Sequence, residues 1–247
     1  MKKLKMKIKG IVFDKDGTLL DYESCWYPVT LAAIDYVAER YPGAQVCREG
    51  IKRRLGLLPD GTMDIDGPHR LGLHPEIAMA FLDEYAECGI EYYRDKLIAD
   101  VSDGFRLSLP VGQVLPICDG MKDIPLTLKE KGIKLGLITS DTVHGAKHTL
   151  DRLGIFDLFD VLLVNDGRHP PKPDPAYMTV FEDETGLSPG EILMVGDTFS
   201  DIDFGTNAGV HTLGVAKSEG NRKKLATKAE YTAYDVSEIF DVLEKIK

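Results

Sequence analysis

From Pro116 onward the chain alternates between two patterns. Short apolar runs that end in polar residues take turns with segments whose apolar residues recur every three or four positions. The runs lie at 133–138, 161–164, 192–195 and 211–215. The helical segments lie at 119–131, 143–153, 175–185, 200–208 and 236–246. A continuous apolar run is what a strand buried on both faces requires, and such strands are typically parallel. Strand–helix alternation then predicts a parallel sheet with helices on both faces. An earlier run, Ile11-Val12-Phe13, ends abruptly in Asp14-Lys15-Asp16-Gly17-Thr18 and reads as one more buried strand. The expected fold class is α/β, a doubly wound, Rossmann-like parallel sheet.

Residues 21–114 break the alternation. Positions 26–41 carry helix-like apolar spacing and stop at Pro42-Gly43, and 59–75 are rich in Gly, Pro and Asp and read as a loop. Positions 76–100 are helical again, with Ile77, Phe81, Leu82 and Tyr85 near one face. No buried strand is evident, so this stretch is expected to be an all-helical insertion. The expected division is a core of 1–20 and 115–247 interrupted by a second domain at 21–114.

Composition removes several function classes. With 30 basic and 40 acidic residues the net charge is −10, which disfavours general nucleic-acid binding and docking on anionic membranes. The 43% hydrophobic content is ample for a core, yet no run of about 18 apolar residues occurs to span a membrane. Lys5, Lys7 and Lys9 alternate with Met6 and Ile8, which breaks up any leader-like apolar stretch and reads as a strand approach with a solvated face. Cys25, Cys47, Cys88 and Cys118 form no Cys-x-x-Cys pair; free thiols and a cytoplasmic location are expected.

In doubly wound sheets, ligands sit outside the carboxyl ends of the strands. Here those ends carry Asp14 and Asp16, Thr139 and Ser140, Lys172 in a proline-stiffened loop after 161–164, and Asp197 with Asp201. Carboxylates crowded at one edge repel unless a cation joins them, and Mg²⁺ takes oxygen ligands. A hydroxyl and a lysine can pair with an anion. A carboxylate nucleophile, a hard cation, a hydroxyl and a lysine together suit phosphoryl transfer through an aspartyl phosphate.

These residues resemble the four motifs of the haloacid dehalogenase superfamily, in its phosphoglycolate-phosphatase-like branch. Asp14-Lys15-Asp16-Gly17-Thr18 is similar to the first motif and Gly136-Leu137-Ile138-Thr139-Ser140 to the second. Lys172-Pro173-Asp174-Pro175 is similar to the third and Gly196-Asp197-Thr198-Phe199-Ser200-Asp201 to the fourth. The motifs occur in order, and the insertion matches the family's helical cap in position. The resemblance implies a phosphatase for a small phosphorylated metabolite, with Asp14 as nucleophile and Asp16 as general acid and base. It implies Mg²⁺ held by Asp14, Asp197 and the backbone carbonyl of Asp16, with Asp201 supporting the metal or holding Lys172. Thr139 and Lys172 would neutralise the transferring group, with Gly17, Thr18 and Ser140 also around the phosphate. Ser140 is alternatively a helix cap. Monomer and homodimer are both compatible with this reading.

Competing assignments are weaker. A phosphomutase would use the same core groups. A phosphonatase would need a cap lysine, for which Lys52 and Lys96 are candidates. A phospho-accepting signalling module has its acceptor on a middle strand of a shorter chain, and a dehalogenase has no use for Asp16 and the metal set. Asp64-Ile65-Asp66-Gly67 and Asp60-Gly61-Thr62 imitate the first motif but follow no apolar strand. His144 and His148 stand at i and i+4, but Gly145 occupies the place where a zinc hydrolase has its glutamate. Arg53, Arg54, His69, Arg70 and Arg106 could meet an anionic leaving group, although a solvated surface role suits each singly.

Overall fold

The structure is a computed structural model that describes residues 7–70, 74–164 and 166–246. In chain order, strand β1 (Gly10–Phe13) is followed by helices α1 (Tyr22–Ala38), α2 (Arg48–Arg54), α3 (His74–Glu87) and α4 (Arg94–Ser108). Then come α5 (Asp123–Glu130), β2 (Lys134–Thr139), α6 (Val143–Leu153), β3 (Val161–Val164), α7 (Ala176–Thr185), β4 (Ile192–Gly196) and α8 (Phe199–Asn207). The chain closes with β5 (His211–Val215), α9 (Glu219–Leu225), β6 (Tyr231–Ala233) and α10 (Ile239–Lys245). Met1–Asp21 with Val114–Lys247 form one compact unit, and Tyr22–Gln113 form a second.

The first unit is a six-stranded, all-parallel sheet in the order β3-β2-β1-β4-β5-β6. Successive side chains of a strand point to opposite faces, and the core divides accordingly. Ile11 and Phe13 join Leu135, Leu137, Leu193 and Val195 on the face covered by α5, α6 and α10. Val12 joins Ile138, Met194, Phe181 and Phe204 on the face covered by α7 and α8. Gly136 lets the Phe181 ring pack close against the sheet, because a Cβ there would come within 2.7 Å of it. The chain winds outward from β1 in one direction, then crosses to β4 and winds the other way. The strand order therefore reverses between β1 and β4, and a crevice opens at their carboxyl ends.

The second unit is helical, around Ile34, Val37, Ile51, Leu55, Phe81, Tyr85, Leu97 and Val101. Pro28 lies inside α1 and cannot donate to the carbonyl four residues back. That carbonyl, on Ser24, accepts the Gln113 N–H at 3.1 Å instead, which ties the two ends of the unit together. Similarly, Asp21 N–H bonds Leu115 O at 3.0 Å within the first unit, so the two connections run side by side.

Several elements differ from expectation. The helix expected from position 26 begins at Tyr22 and ends at Ala38, and α2 was not anticipated. The stretch 76–100 is two helices, separated at Gly89, whose φ of +68° only glycine adopts readily. β6 and α9 also had no counterpart; each is too short for periodicity to register. The last helix opens with a 3₁₀ turn at Val236–Glu238. The alternation over Lys5–Lys9 falls partly outside the described residues, and the strand itself starts at Gly10, with Lys9 paired to Glu191. None of the four cysteines forms a disulfide among the described residues, and no helix among them is long and apolar enough to cross a membrane.

Candidate active site

β1 and β4 deliver the first two carboxylates. Asp14 directly follows β1, and its N–H extends the ladder by one bond to Val195 O at 2.9 Å. Asp197 directly follows β4 and is 1% exposed. The third, Asp201, stands one turn into α8, whose capping box holds it. Thr198 caps the helix by accepting the Asp201 N–H, and the Asp201 carboxylate reaches back to Thr198 N at 3.0 Å and Oγ1 at 2.6 Å. Gly196 makes the approach possible, since a Cβ there would lie 2.2 Å from that of Asp201. Asp14, Asp197 and Asp201 thus offer carboxylate oxygens within 4.8 Å of one another, all three side chains buried.

Lys172 closes the cluster from the loop before α7. Its Nζ donates to Asp14 Oδ1 at 2.6 Å, Asp201 Oδ1 at 2.5 Å and Ile138 O at 3.2 Å, which accounts for all three ammonium protons. Burial by itself would lower the pKa of this lysine, but Asp14 and Asp201 override it and hold the ammonium above its ordinary range. For Asp14 burial prevails. It pushes the carboxyl up to about 7, against the pull of Lys172 and with added repulsion from Asp201 and Asp16.

Asp16 stands apart from this cluster. Its carboxylate turns to Lys15, whose Nζ lies 2.8 Å from each of its two oxygens. Lys15 also reaches Asp141 Oδ2 at 3.2 Å. Burial would lower the Lys15 pKa, and the two carboxylates more than reverse that. Gly17 supplies the positive φ, +88°, that turns the chain after Asp16. Thr18 is fully buried, and its hydroxyl has no hydrogen-bond partner among the described residues.

Thr139 ends β2 and is buried; its Oγ1 accepts the Asp141 N–H at 3.2 Å, which leaves its own proton to donate. Ser140 is exposed and does not cap α6. That role falls to Thr142, which accepts the Gly145 N–H at 3.1 Å. Sequence reasoning also passed over Lys15 and Asp141. A lysine between two aspartates at the end of a buried strand was the available signal, because such a position has little solvent to offer it.

Several other candidates are engaged by neighbours within their own unit. Asp60 accepts from Thr62 N and Oγ1, and Asp64 from Asp66 N, as turn aspartates do. Arg54 pairs with Glu84 and Glu87, Arg70 with Glu23, and Arg106 with Asp103. His69 is buried between Tyr22 Oη and Thr30 Oγ1. His144 and His148 belong to no metal-competent cluster among the described residues.

A parallel sheet that carries carboxylates at its switch point is shared by many folds, so relatives decide the family. The family model for haloacid dehalogenase-like hydrolases matches residues 8–209. The chain belongs to that family. A Clostridium perfringens relative, provisionally named pyrophosphatase PpaX, is 35% identical over 97% of this chain and 99% of its own. N-acetylmuramic acid 6-phosphate phosphatase of Pseudomonas aeruginosa is 27% identical, over 85% of this chain and 83% of its own. By sequence the chain groups with the family's phosphatases. The crystal structure of a predicted phosphoglycolate phosphatase from Haemophilus somnus shares this fold. Its TM-score is 0.68 at 20% identity, covering 97% of this chain and 99% of that one.

Proposed function

We propose that this haloacid dehalogenase-like hydrolase is a Mg²⁺-dependent phosphatase acting on a small phosphorylated metabolite through an aspartyl phosphate on Asp14. The carrying observation is the buried cluster of Asp14, Asp197, Asp201 and Lys172. With Asp14 ionised, three carboxylates and one ammonium leave a net charge of −2 among buried side chains. A divalent cation balances that charge, and the all-oxygen donor set suits a hard one such as Mg²⁺. Asp14 and Asp197, with the backbone carbonyl of Asp16, would hold it, and Asp201 would support it. When bound it supplies charge neutralisation on the phosphoryl oxygens and keeps Asp14 ionised.

The chain's own groups then carry the steps. An Asp14 oxygen forms a bond to phosphorus as the ester P–O bond breaks. The electron pair goes to the leaving oxygen, which takes a proton from Asp16. Water next bonds to phosphorus, gives a proton to Asp16, and the bond from phosphorus to Asp14 breaks, releasing inorganic phosphate. Lys172 and the free proton of Thr139 stabilise charge on the transferring oxygens, and Ser140, Gly17 and Thr18 border them.

A phosphonatase reading has less support. A Schiff-base lysine works desolvated and unpaired, whereas Lys52 and Lys96 are each committed to a neighbouring carboxylate, Glu49 and Asp100. The free cysteines support a reducing, cytoplasmic setting.

The test is a screen of phosphate esters with Mg²⁺ and with chelator, comparing wild type and Asp14→Asn. Inorganic phosphate release that requires Mg²⁺ is expected, with Asp14→Asn slower by ~10³-fold or more. Equal, metal-independent turnover by both proteins would overturn the mechanism. An isomerised sugar phosphate in place of inorganic phosphate would assign a mutase instead.

A further inference from the structure

We propose that Lys15, held from behind by Asp141, is a positioning residue for the acid and base work of Asp16; this rests on the phosphatase reading above. The Lys15 side chain is only 5% exposed, so its ammonium must find acceptors inside the protein. It takes both oxygens of Asp16 at 2.8 Å and Asp141 Oδ2 at 3.2 Å. The Asp16 side chain is 34% exposed, so packing alone does not fix its rotamer. One ammonium equidistant from both its oxygens confines it to a single seat.

Asp141 is itself anchored. Its Oδ1 accepts the Thr142 N–H at 2.6 Å, at the N-terminal end of α6, where backbone dipoles favour a carboxylate. Gly145 leaves the room for it: a Cβ at that position would lie 2.5 Å from both carboxylate oxygens. A continuous chain of contacts therefore runs from the start of α6 through Asp141 and Lys15 to Asp16. It is separate from the Asp14, Asp197, Asp201 and Lys172 cluster. Lys172 neutralises the nucleophile's side of the site, and Lys15 fixes the side that gives and takes the proton.

The two jobs separate by leaving group. Departure of an alkoxide needs the proton from Asp16, whereas 2,4-dinitrophenolate departs without one. The experiment is rapid-quench measurement of phosphoenzyme formation with Mg²⁺, using glycerol phosphate and 2,4-dinitrophenyl phosphate. The proteins are wild type, Lys15→Met, Lys15→Arg, Asp141→Asn and the Lys15→Met/Asp141→Asn double variant.

Lys15→Met is expected to slow the reaction of the alkyl ester by ~10- to 100-fold, with KM little changed. The aryl ester should slow by less than ~3-fold. Lys15→Arg should recover most of the loss. Asp141→Asn should give a smaller loss with the same leaving-group preference, and should add nothing in the Lys15→Met background. Equal losses on both esters, or none on the alkyl ester, would overturn the proposal. If Lys15→Met does not fold, Asp141→Asn decides by the same comparison, since its side chain is 29% exposed and leaves the packed interior untouched. Failure of the underlying phosphatase reading looks different: wild type itself would then form no phosphoenzyme from either ester.

Discussion

At the residue scale the most consequential group is Asp14, because its burial sets the proposed nucleophile and the fold against each other. Its carboxyl moves from an ordinary 3.8 to about 7 in the folded chain. Between those values the folded state keeps a proton that the unfolded state has released. Stability from this group is therefore fully present below pH 3.8 and is lost as pH rises to about 7. The metal-free protein should show a Tm that falls between pH 5 and pH 8, with Mg²⁺ restoring it at pH 8. Asp14→Asn should flatten this dependence in thermal melts with chelator. A slope that persists unchanged in the variant would place its source elsewhere.

At the scale of elements, α8 shows how a helix terminus serves the site. Thr198 caps the helix and also holds Asp201 Oδ2, while Asp201 Oδ1 receives Lys172. Thr198→Ala should cost about 1 kcal/mol of stability through the lost cap and lower turnover, because the Asp201 carboxylate loses the hydroxyl among its three donors, Thr198 Oγ1, Thr198 N and Lys172 Nζ. Thr198→Ser should preserve both. Denaturant melts and initial rates on the same samples check this; full activity in Thr198→Ala would mean that Lys172 and the backbone N–H of residue 198 suffice to hold Asp201. Elements also mark where sequence patterning reaches its limit. β3 and α6 have the bounds expected of them, because four apolar residues in a row and an eleven-residue amphipathic stretch carry a strong period. β6, with three residues, and α2, with seven, are shorter than the window in which a period can be recognised.

At the scale of the whole molecule, two units with their own cores share one chain. The Asp21–Leu115 bond brings the excision points within a tight turn's reach. A chain with 22–113 replaced by a short Gly/Ser linker is expected to unfold cooperatively and keep Mg²⁺-dependent hydrolysis of an activated aryl phosphate. Discrimination among metabolite phosphates should be lost, as expected if the helical unit is a cap that selects substrate. Circular dichroism melts and a substrate panel test it; an unfolded product would show that the sheet core depends on the insertion.

The sequence by itself determined the α/β class, the placement of four polar clusters at strand ends, and a helical insertion after the first of them. Each is encoded locally, in a period or a short motif, and Asp14 with Asp16 or Asp197 with Asp201 need only two to four residues of chain. Tertiary structure decided which of these groups meet. Lys172 reaches Asp14 across 158 residues, and that contact exists because the strand order reverses between β1 and β4. It also decided that Asp16 turns to Lys15, which Asp141 holds in turn. That pairing depends on how deeply Lys15 is buried and on the space that Gly145 leaves, neither of which a linear pattern records.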